Sequence, residues 1–234
     1  MKISVIITAK DDRGWLQQAI NSAKEQEFYG YEIILASDGN PFLEAFADMN
    51  GIGFALLPKQ KNLAANFNNA VKMAKGKYLK ILADDDILLP DTLSALYDRA
   101  EQQMADMVFG DFQTIDTSGF VTGFYKTPVL GYPSINELIR NKKIAAGCTL
   151  INKASFLEVG GLDSRFNIAE FYILWLKFLK AKMYNFYYLD KFICQYRHHS
   201  GQKSMYLSEK MAAKRADEMV RINKKYAVQN SVVV

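Results

Sequence analysis

Three adjacent carboxylates form the segment of the sequence that is best suited to chemistry. Asp84, Asp85 and Asp86 directly follow 78–82, an apolar run with the density of a buried strand. Neighbouring carboxylates repel one another unless a cation offsets their charge. Mg²⁺ and Mn²⁺ bind carboxylate oxygens together with substrate phosphates. The segment therefore indicates a divalent-metal site, a phosphatase-like carboxylate cluster, or a solvated acidic turn whose Asp86 caps the next helix.

The pattern of apolar residues predicts which elements position these carboxylates. Strands are predicted over 3–8, 32–36, 54–57, 78–82 and 107–109, with helices over 15–25, 41–49, 63–74 and 90–103 between them. Gly76 is expected to end the third helix in the left-handed conformation. Further along, we predict a hairpin over 112–125, helices over 134–140, 168–181 and 208–227, and strands over 147–152 and 184–188.

Alternating strands and helices with short joints are typical of a mostly parallel sheet that is covered on both faces. Thr8 ends the first predicted strand, Asp38 closely follows the second, and Asp84 follows the fourth. Ligands of such sheets bind beyond the carboxyl ends of the strands. We therefore expect these three side chains to lie at one edge of the sheet.

The composition describes an ordinary globular chain. Its 234 residues are 50% hydrophobic and 23% charged, which excludes a disordered protein. The formal net charge of +4 is too small to indicate a nucleic-acid partner. Cys148 and Cys194 form no CxxC pair, so we expect neither a disulfide scaffold nor a Cys-rich zinc site. With charge as early as residues 11–13 and no membrane-length apolar run, we expect a cytoplasmic protein.

The excess of positive charge lies near the C-terminus. Residues 191–234 carry nine basic and three acidic side chains. In the predicted helix 208–227, basic residues repeat at helical spacing on one face, at Lys210, Lys214, Arg221 and Lys225. Such a helix could contact anionic lipid at the inner face of the membrane, pack on the domain, or form a homodimer contact. The sequence leaves these three interpretations open.

Four segments, in this order, resemble family 2 glycosyltransferases with the GT-A fold: 4–8 (SVIIT), 32–40 (EIILASDGN), 74–90 around the Asp triplet, and 159–166 (VGGLDSRF). They resemble, in turn, the family's opening strand, its Asp-Asp-Gly-Ser type turn, its DxD metal motif and its Gly-Gly-Phe-Asp segment. The resemblance implies a Rossmann-like, mostly parallel central sheet flanked by helices, followed by a mixed acceptor-side half. It implies one domain over 1–234, with a nucleotide-binding half (1–110), an acceptor half (111–207) and a C-terminal helix and tail (208–234).

The resemblance also implies roles for single residues. Asp38 matches the carboxylate that binds the nucleotide base, with Thr8 beside it, and Asp84 matches the residue near the ribose and phosphate. Asp85 matches the ligand of a metal, Mn²⁺ or Mg²⁺, that neutralises the diphosphate leaving group. His199, in the segment 196–200, is the expected second metal ligand.

Two weaker nucleotide contacts are predicted at Asn62, where an Arg is sometimes found near the phosphates, and at Lys203, a diphosphate candidate. An arginine near the histidines, here Arg197, is also expected to meet phosphate. Lys10 departs from the aromatic or Asn-type residue that is common beside the base.

A general base is expected at the start of a helix in the second half. Aligning the chain on Leu174 and Trp175 leaves Glu170 as the only carboxylate there, because Phe171 stands where relatives often have Asp. Glu170 is therefore the predicted base. A glutamate in this position also favours the helix dipole without any catalytic role.

The function that the resemblance implies is inverting transfer of a hexosyl or hexosaminyl group from a nucleotide-diphosphate donor, UDP by preference, to a hydroxyl of a glycan or lipid-linked acceptor. Cell-surface polysaccharide synthesis is the expected setting. One alternative is a catalytically impaired nucleotide-sugar-binding protein, indicated by Phe171 and Lys10. Another is an unrelated nucleotide-dependent α/β enzyme such as a nucleotidyltransferase. No GxGxxG or P-loop lysine occurs, which disfavours dinucleotide and ATPase functions.

Overall fold

The computed structural model describes residues 1–58, 61–127, 137, 139, 144–183, 185–202 and 209–226, without the side chains of 209–215. Its strands are β1 (Ile3–Ala9), β2 (Tyr31–Asp38), β3 (Gly53–Leu57), β4 (Tyr78–Ala83), β5 (Ile87–Leu88), β6 (Met107–Ile115), β7 (Val121–Tyr125), β8 (Thr149–Asn152) and β9 (Phe186–Arg197). Its helices are α1 (Leu16–Lys24), α2 (Leu43–Asn50), α3 (Leu63–Met73), α4 (Thr92–Gln103), α5 (Lys153–Glu158), α6 (Glu170–Lys180) and α7 (Glu209–Tyr226), with a 3₁₀ turn at Ala146–Cys148.

Within the described residues, the nine strands form one sheet in the order β3-β2-β1-β4-β8-β6-β9-β5, and β7 pairs with β6. The first four strands of this order are parallel, as the sequence predicts. Beyond β4 the sheet is mixed, because β8 lies antiparallel between β4 and β6. The expected mostly parallel sheet with a mixed second half is confirmed.

Two strands run further than the sequence pattern indicates. β6 continues to Ile115 and β9 to Arg197, and they pair in parallel along most of their length with an irregularity near Asp111. Polar residues such as Gln113 and Gln195 interrupt the apolar pattern there, and their side chains pair across the two strands at 2.9 Å. The predicted helix over 134–140 falls almost entirely outside the described residues.

The sheet buries one apolar layer on each face, because successive side chains of a strand point to opposite sides. Ile6 of β1 packs in the layer that also holds Phe67 of α3 and Trp175 of α6. Val5 and Ile7 belong to the opposite layer, under α1, α2 and α4. The helices therefore cover both faces and leave the carboxyl ends of the strands for a site.

Gly76 does not have the left-handed conformation that we predicted. Helix α3 ends at Met73, and the backbone of the next residue, Ala74, is extended (φ −60°, ψ 127°). Gly76 is instead needed for close approach, since a Cβ atom there would lie 2.3 Å from the backbone nitrogen of Ser4. The Gly76 N–H also donates to Ser4 Oγ at 2.8 Å, which joins this loop to β1.

Helix α7 packs on the domain. Ile222 and Tyr226 are buried against the layer that holds α6. Asp163 accepts hydrogen bonds from Lys225 Nζ at 2.9 Å and from the hydroxyl of Tyr226, and it pairs with Arg165 Nη2 at 2.7 Å. Among the described residues, no helix is long and apolar enough to cross a bilayer. Contact with a membrane surface or a second copy remains a prediction.

Asp163 should make the stability of the protein depend on pH. Burial raises its pKa, but hydrogen bonds from Arg165, Tyr226 and Lys225 outweigh burial and hold the pKa well below its usual value. The stabilisation is therefore present above the unfolded-state pKa near 4 and is lost as the pH falls below it. Asp163→Asn should lower the free energy of unfolding by about 2 kcal/mol at pH 7 and by less at pH 3.

Urea denaturation at both pH values measures this difference. Asp190→Asn is the matched control, since the Asp190–Lys126 pair is exposed and its loss should change the free energy of unfolding much less than the loss of the Asp163 charge. An equal effect of Asp163→Asn at pH 7 and pH 3 would contradict the electrostatic explanation.

Candidate active site

The pairing of β1 places three predicted site residues at one sheet edge. Thr8 lies opposite Ala36 of β2 on one side and Ala83 of β4 on the other. Adjacent strands are about 4.8 Å apart. Asp38 ends β2 and Asp84 follows Ala83, so these two carboxylates flank the half-buried Thr8.

The acidic triplet forms a buried turn between β4 and β5. Asp84 and Asp85 are each 8% exposed and Asp86 is 3% exposed, so the solvated acidic turn is excluded. The short strand β5 pairs with β9, which fixes the end of the turn. The triplet is thus held between two strands at the carboxyl edge of the sheet.

Two cationic or polar groups meet the carboxylates of this turn. Arg13 Nη2 lies 2.9 Å from Asp84 Oδ1 and 3.3 Å from Asp85 Oδ2. His199 Nε2 lies 2.9 Å from the same Asp85 oxygen. His199 Nδ1 accepts the Gly201 N–H at 3.1 Å, which orients the ring so that Nε2 faces Asp85. The structure therefore brings together Asp84, Asp85 and His199, three of the residues for which the sequence analysis proposes site roles; those roles remain predictions.

Burial makes the charge of the turn costly. Burial and the neighbouring charge of Asp85 raise the pKa of Asp84 to about 6, against the opposing effect of Arg13. Burial and Asp85 likewise raise the pKa of Asp86 to about 8, against the hydrogen bond from the Arg197 N–H and the charge of Lys80. The corner thus lacks enough positive charge to stabilise three carboxylates, which favours binding of a further cation.

Arg197 does not reach toward phosphate, contrary to the sequence expectation. It is fully buried, and its Nε donates to the backbone oxygen of Asp85 at 2.9 Å. Its other guanidinium nitrogens donate to Asp116 O at 3.0 Å and to Gln18 Oε1 at 2.8 Å. Because its guanidinium donors are used in the interior, Arg197 supports the backbone of the acidic turn from the buried side.

A chain of hydrogen bonds links Asp38 to the loop before α6. Asp38 Oδ1 accepts the Lys61 N–H at 2.8 Å. The next residue, Asn62, caps α3 by accepting the Ala65 N–H at 2.9 Å, and its Nδ2 donates to Asn167 Oδ1 at 3.1 Å. Asn62 therefore has a structural role, and its contact with a nucleotide remains a prediction.

Glu170 is the first residue of α6 and is buried, with 7% of its surface exposed. It follows Ala169, whose φ of 53° turns the chain sharply into the helix. Phe171 packs away from this turn, with its ring 5.6 Å from Phe67 and 6.2 Å from Trp175. The position at which the resemblance leads us to expect Asp is thus a partly buried phenylalanine that packs against the apolar core.

The donor set of the corner fits a dication only in part. Among the described residues, no group of three or more His, Cys, Asp or Glu side chains could hold a metal ion. Asp85 and His199 supply one carboxylate and one imidazole. Mg²⁺ and Mn²⁺ commonly take one or two protein ligands and complete their shell with phosphate oxygens and water. The residues fit a metal that binds together with a diphosphate; Lys203 lies outside the described residues.

The sequence did not reveal two neighbours of the site. Arg13, in the loop between β1 and α1, contacts the acidic turn across 71 residues of chain. Trp15 packs its ring 4.8 Å from that of His199. The only feature of the sequence that could have indicated them is their position in the loop that follows the first strand.

Cys148 and Cys194 are free thiols, although their sulfur atoms lie only 2.9 Å apart.

The sheet order, the helices on both faces and the acidic turn at the carboxyl edge are those of the GT-A fold. The sequence profile of Glycosyl transferase family 2 matches residues 4–160. The chain therefore belongs to glycosyltransferase family 2.

Solved structures and curated relatives agree with this assignment. The crystal structure of S. aureus TarS 1-349 in complex with UDP-GlcNAc has a TM-score of 0.73, with 17% identity, over 96% of this chain and 66% of that one. An uncharacterized glycosyltransferase of Rickettsia conorii is 26% identical over 88% of this chain and 35% of its own length. GlyG of Streptococcus pneumoniae is 26% identical over 78% of this chain and 58% of its own length.

A further relative is an E. coli protein, UDP-Glc:alpha-D-GlcNAc-diphosphoundecaprenol beta-1,3-glucosyltransferase WfgD. It is 24% identical over 76% of this chain and 70% of its own length. The chain spans only 35% and 58% of the lengths of the Rickettsia protein and GlyG.

Proposed function

We propose that this chain transfers a sugar from a nucleotide-diphosphate donor to a hydroxyl group of a glycan or lipid-linked acceptor, with inversion at the anomeric carbon. The observation that carries the proposal is the buried corner of Asp84, Asp85 and His199 beside Thr8 and Asp38. UDP is the favoured donor base, because TarS was solved with UDP-GlcNAc and WfgD is named for UDP-Glc.

In this mechanism the acceptor oxygen forms a bond to the anomeric carbon while the bond from that carbon to the diphosphate breaks. Glu170 accepts the acceptor proton, and the nucleoside diphosphate leaves with the electron pair of the broken bond. A bound dication, Mn²⁺ or Mg²⁺, would neutralise the charge that develops on the leaving group. Asp85 and His199 would hold it, while Asp38 and Thr8 position the nucleotide.

A lipid-linked acceptor agrees with the name of WfgD, a glucosyltransferase that acts on a diphosphoundecaprenol-linked GlcNAc. We propose that the sugar is added in the cytoplasm to a polysaccharide that is destined for the cell surface. In this setting α7 would contact the inner face of the membrane. Arg221 and Lys225 contact the ring of Phe166 on the domain, so such contact would use the remaining basic residues of the helix.

The test is release of UDP from UDP-glucose and UDP-GlcNAc, with Mn²⁺ or Mg²⁺, in the presence of a polyprenyl-diphosphate-linked GlcNAc acceptor. We expect acceptor-dependent release and a product heavier by one hexosyl or hexosaminyl unit. UDP binding without turnover across a broad acceptor panel would favour the second candidate, an impaired nucleotide-sugar-binding protein. The observation that favours this second candidate is Phe171, a partly buried phenylalanine packed against the apolar core where the resemblance leads us to expect Asp.

A further inference from the structure

Arg13 supplies positive charge to the two site carboxylates from an accessible position. Its Nη2 lies 2.9 Å from Asp84 Oδ1 and 3.3 Å from Asp85 Oδ2, while its side chain is 40% exposed. The Asp85 oxygen is the one that also meets His199. The guanidinium therefore contacts the same carboxylate oxygens that a dication at this corner needs.

We propose that Arg13 is an exchangeable counter-ion of this corner: it pairs with Asp84 and Asp85 in the free protein, and it moves to the donor diphosphate when a dication takes the carboxylates. The inference rests on the proposed function, because it takes a nucleoside diphosphate as the second partner of Arg13. It makes Arg13 a residue that exchanges partners within one site.

The contrast between the two arginines of the corner supports this exchange. Arg197 is fully buried and its guanidinium donates to Asp85 O, Asp116 O and Gln18, so it cannot leave its place without losing several bonds. Arg13 contacts only the carboxylates in the described part of the chain, from an exposed loop. Arg13 is the exposed partner of buried carboxylates, so it can leave when a dication replaces its charge, because Asp84 and Asp85 then keep a counter-ion.

The electrostatics of the exchange require Arg13 to move. A guanidinium and a dication at the same carboxylate oxygens repel each other, so binding of one weakens binding of the other. A diphosphate that arrives with the metal carries negative charge, and a guanidinium binds two phosphate oxygens at once through its planar fork. A Cβ atom at Gly201, two residues after His199, would lie 3.9 Å from Arg13 Nη1, so the guanidinium also lies beside the loop that carries His199.

Titration of Mn²⁺ alone, followed by titration of UDP at saturating Mn²⁺, tests the exchange in wild type, Arg13→Gln and Arg13→Lys. Arg13→Gln should bind Mn²⁺ alone about tenfold more tightly, because the competing cation is gone, and should bind UDP about tenfold more weakly. Arg13→Lys should keep the wild-type Mn²⁺ affinity and recover only part of the UDP affinity, because an ammonium lacks the planar fork. Lys126→Gln, which removes a cation from an exposed pair, should change neither affinity.

Unchanged or weaker Mn²⁺ binding by Arg13→Gln would overturn the counter-ion role, and unchanged UDP affinity would overturn the exchange. If neither wild type nor Arg13→Gln binds Mn²⁺, Arg13 and the dication do not compete for the carboxylates and the inference is wrong. Failure of the proposed function is distinguishable from failure of the inference, because a wild-type protein that binds no UDP contradicts the proposal that its donor is a UDP-sugar. Wild-type binding of both UDP and Mn²⁺ with no effect of Arg13→Gln refutes the inference alone.

Discussion

Asp85→Asn should lower the rate of sugar transfer by about 10³-fold while the protein stays folded. Asp85 Oδ2 contacts both Arg13 Nη2 and His199 Nε2, so the charge of Asp85 links the two sides of the corner. Asparagine keeps the shape of the side chain but removes the charge that a dication needs. The leaving diphosphate would then develop its negative charge without a counter-ion.

UDP release under saturating donor measures this effect, and Mn²⁺ titration in the presence of UDP should show a parallel loss of metal affinity. Asp98→Asn is the matched control, since Asp98 is an exposed carboxylate on α4 and its loss should leave both quantities unchanged. Thermal unfolding checks that the variant is folded. Wild-type activity in Asp85→Asn would refute the metal role of this carboxylate.

Sequence reasoning succeeded where structure depends on local pattern. The runs of β1, β2 and β4 are short, apolar and bounded by turns, so their existence and their parallel arrangement follow from periodicity alone. The position of Asp84 and Asp85 at the sheet edge can also be predicted from the sequence, because the carboxyl ends of adjacent parallel strands lie at one edge of the sheet.

The remaining features, the order of the later strands and the positions of Arg197 and Arg13, depend on contacts between residues far apart in the sequence. The position of β8 between β4 and β6 joins segments about 70 and 40 residues apart, and no local pattern encodes that order. Arg197 could be taken for a phosphate contact because its type suggests an exposed cation, whereas the fold buries it behind Asp85. Arg13 escaped notice for the opposite reason, since a single loop arginine carries no spacing signal until the fold brings it to Asp84.

Glu170→Gln should lower the rate constant for transfer by about 10²- to 10⁴-fold and leave UDP and Mn²⁺ affinities unchanged. Glu170 begins α6 directly after the turn at Ala169, and the loop before that turn is tied to the Asp38 side of the site through Asn62 and Asn167. Glutamine keeps the size of the side chain, but it replaces one acceptor oxygen with an NH₂ donor and cannot accept a proton. The loss should therefore appear in the chemical step rather than in donor binding.

Single-turnover kinetics with preformed enzyme, donor and metal isolates that step. Glu170→Asp should retain part of the activity, because the carboxylate remains but is set back by one methylene, and Glu158→Gln on the exposed end of α5 is the matched control. If Glu170→Gln transfers sugar as fast as wild type, the base lies elsewhere. The neighbouring Phe171 has no atom that can accept a proton, and its ring contacts Phe67 and Trp175. Loss of activity in Glu170→Gln, with Glu158→Gln unaffected, is therefore the result that assigns proton transfer to the start of α6.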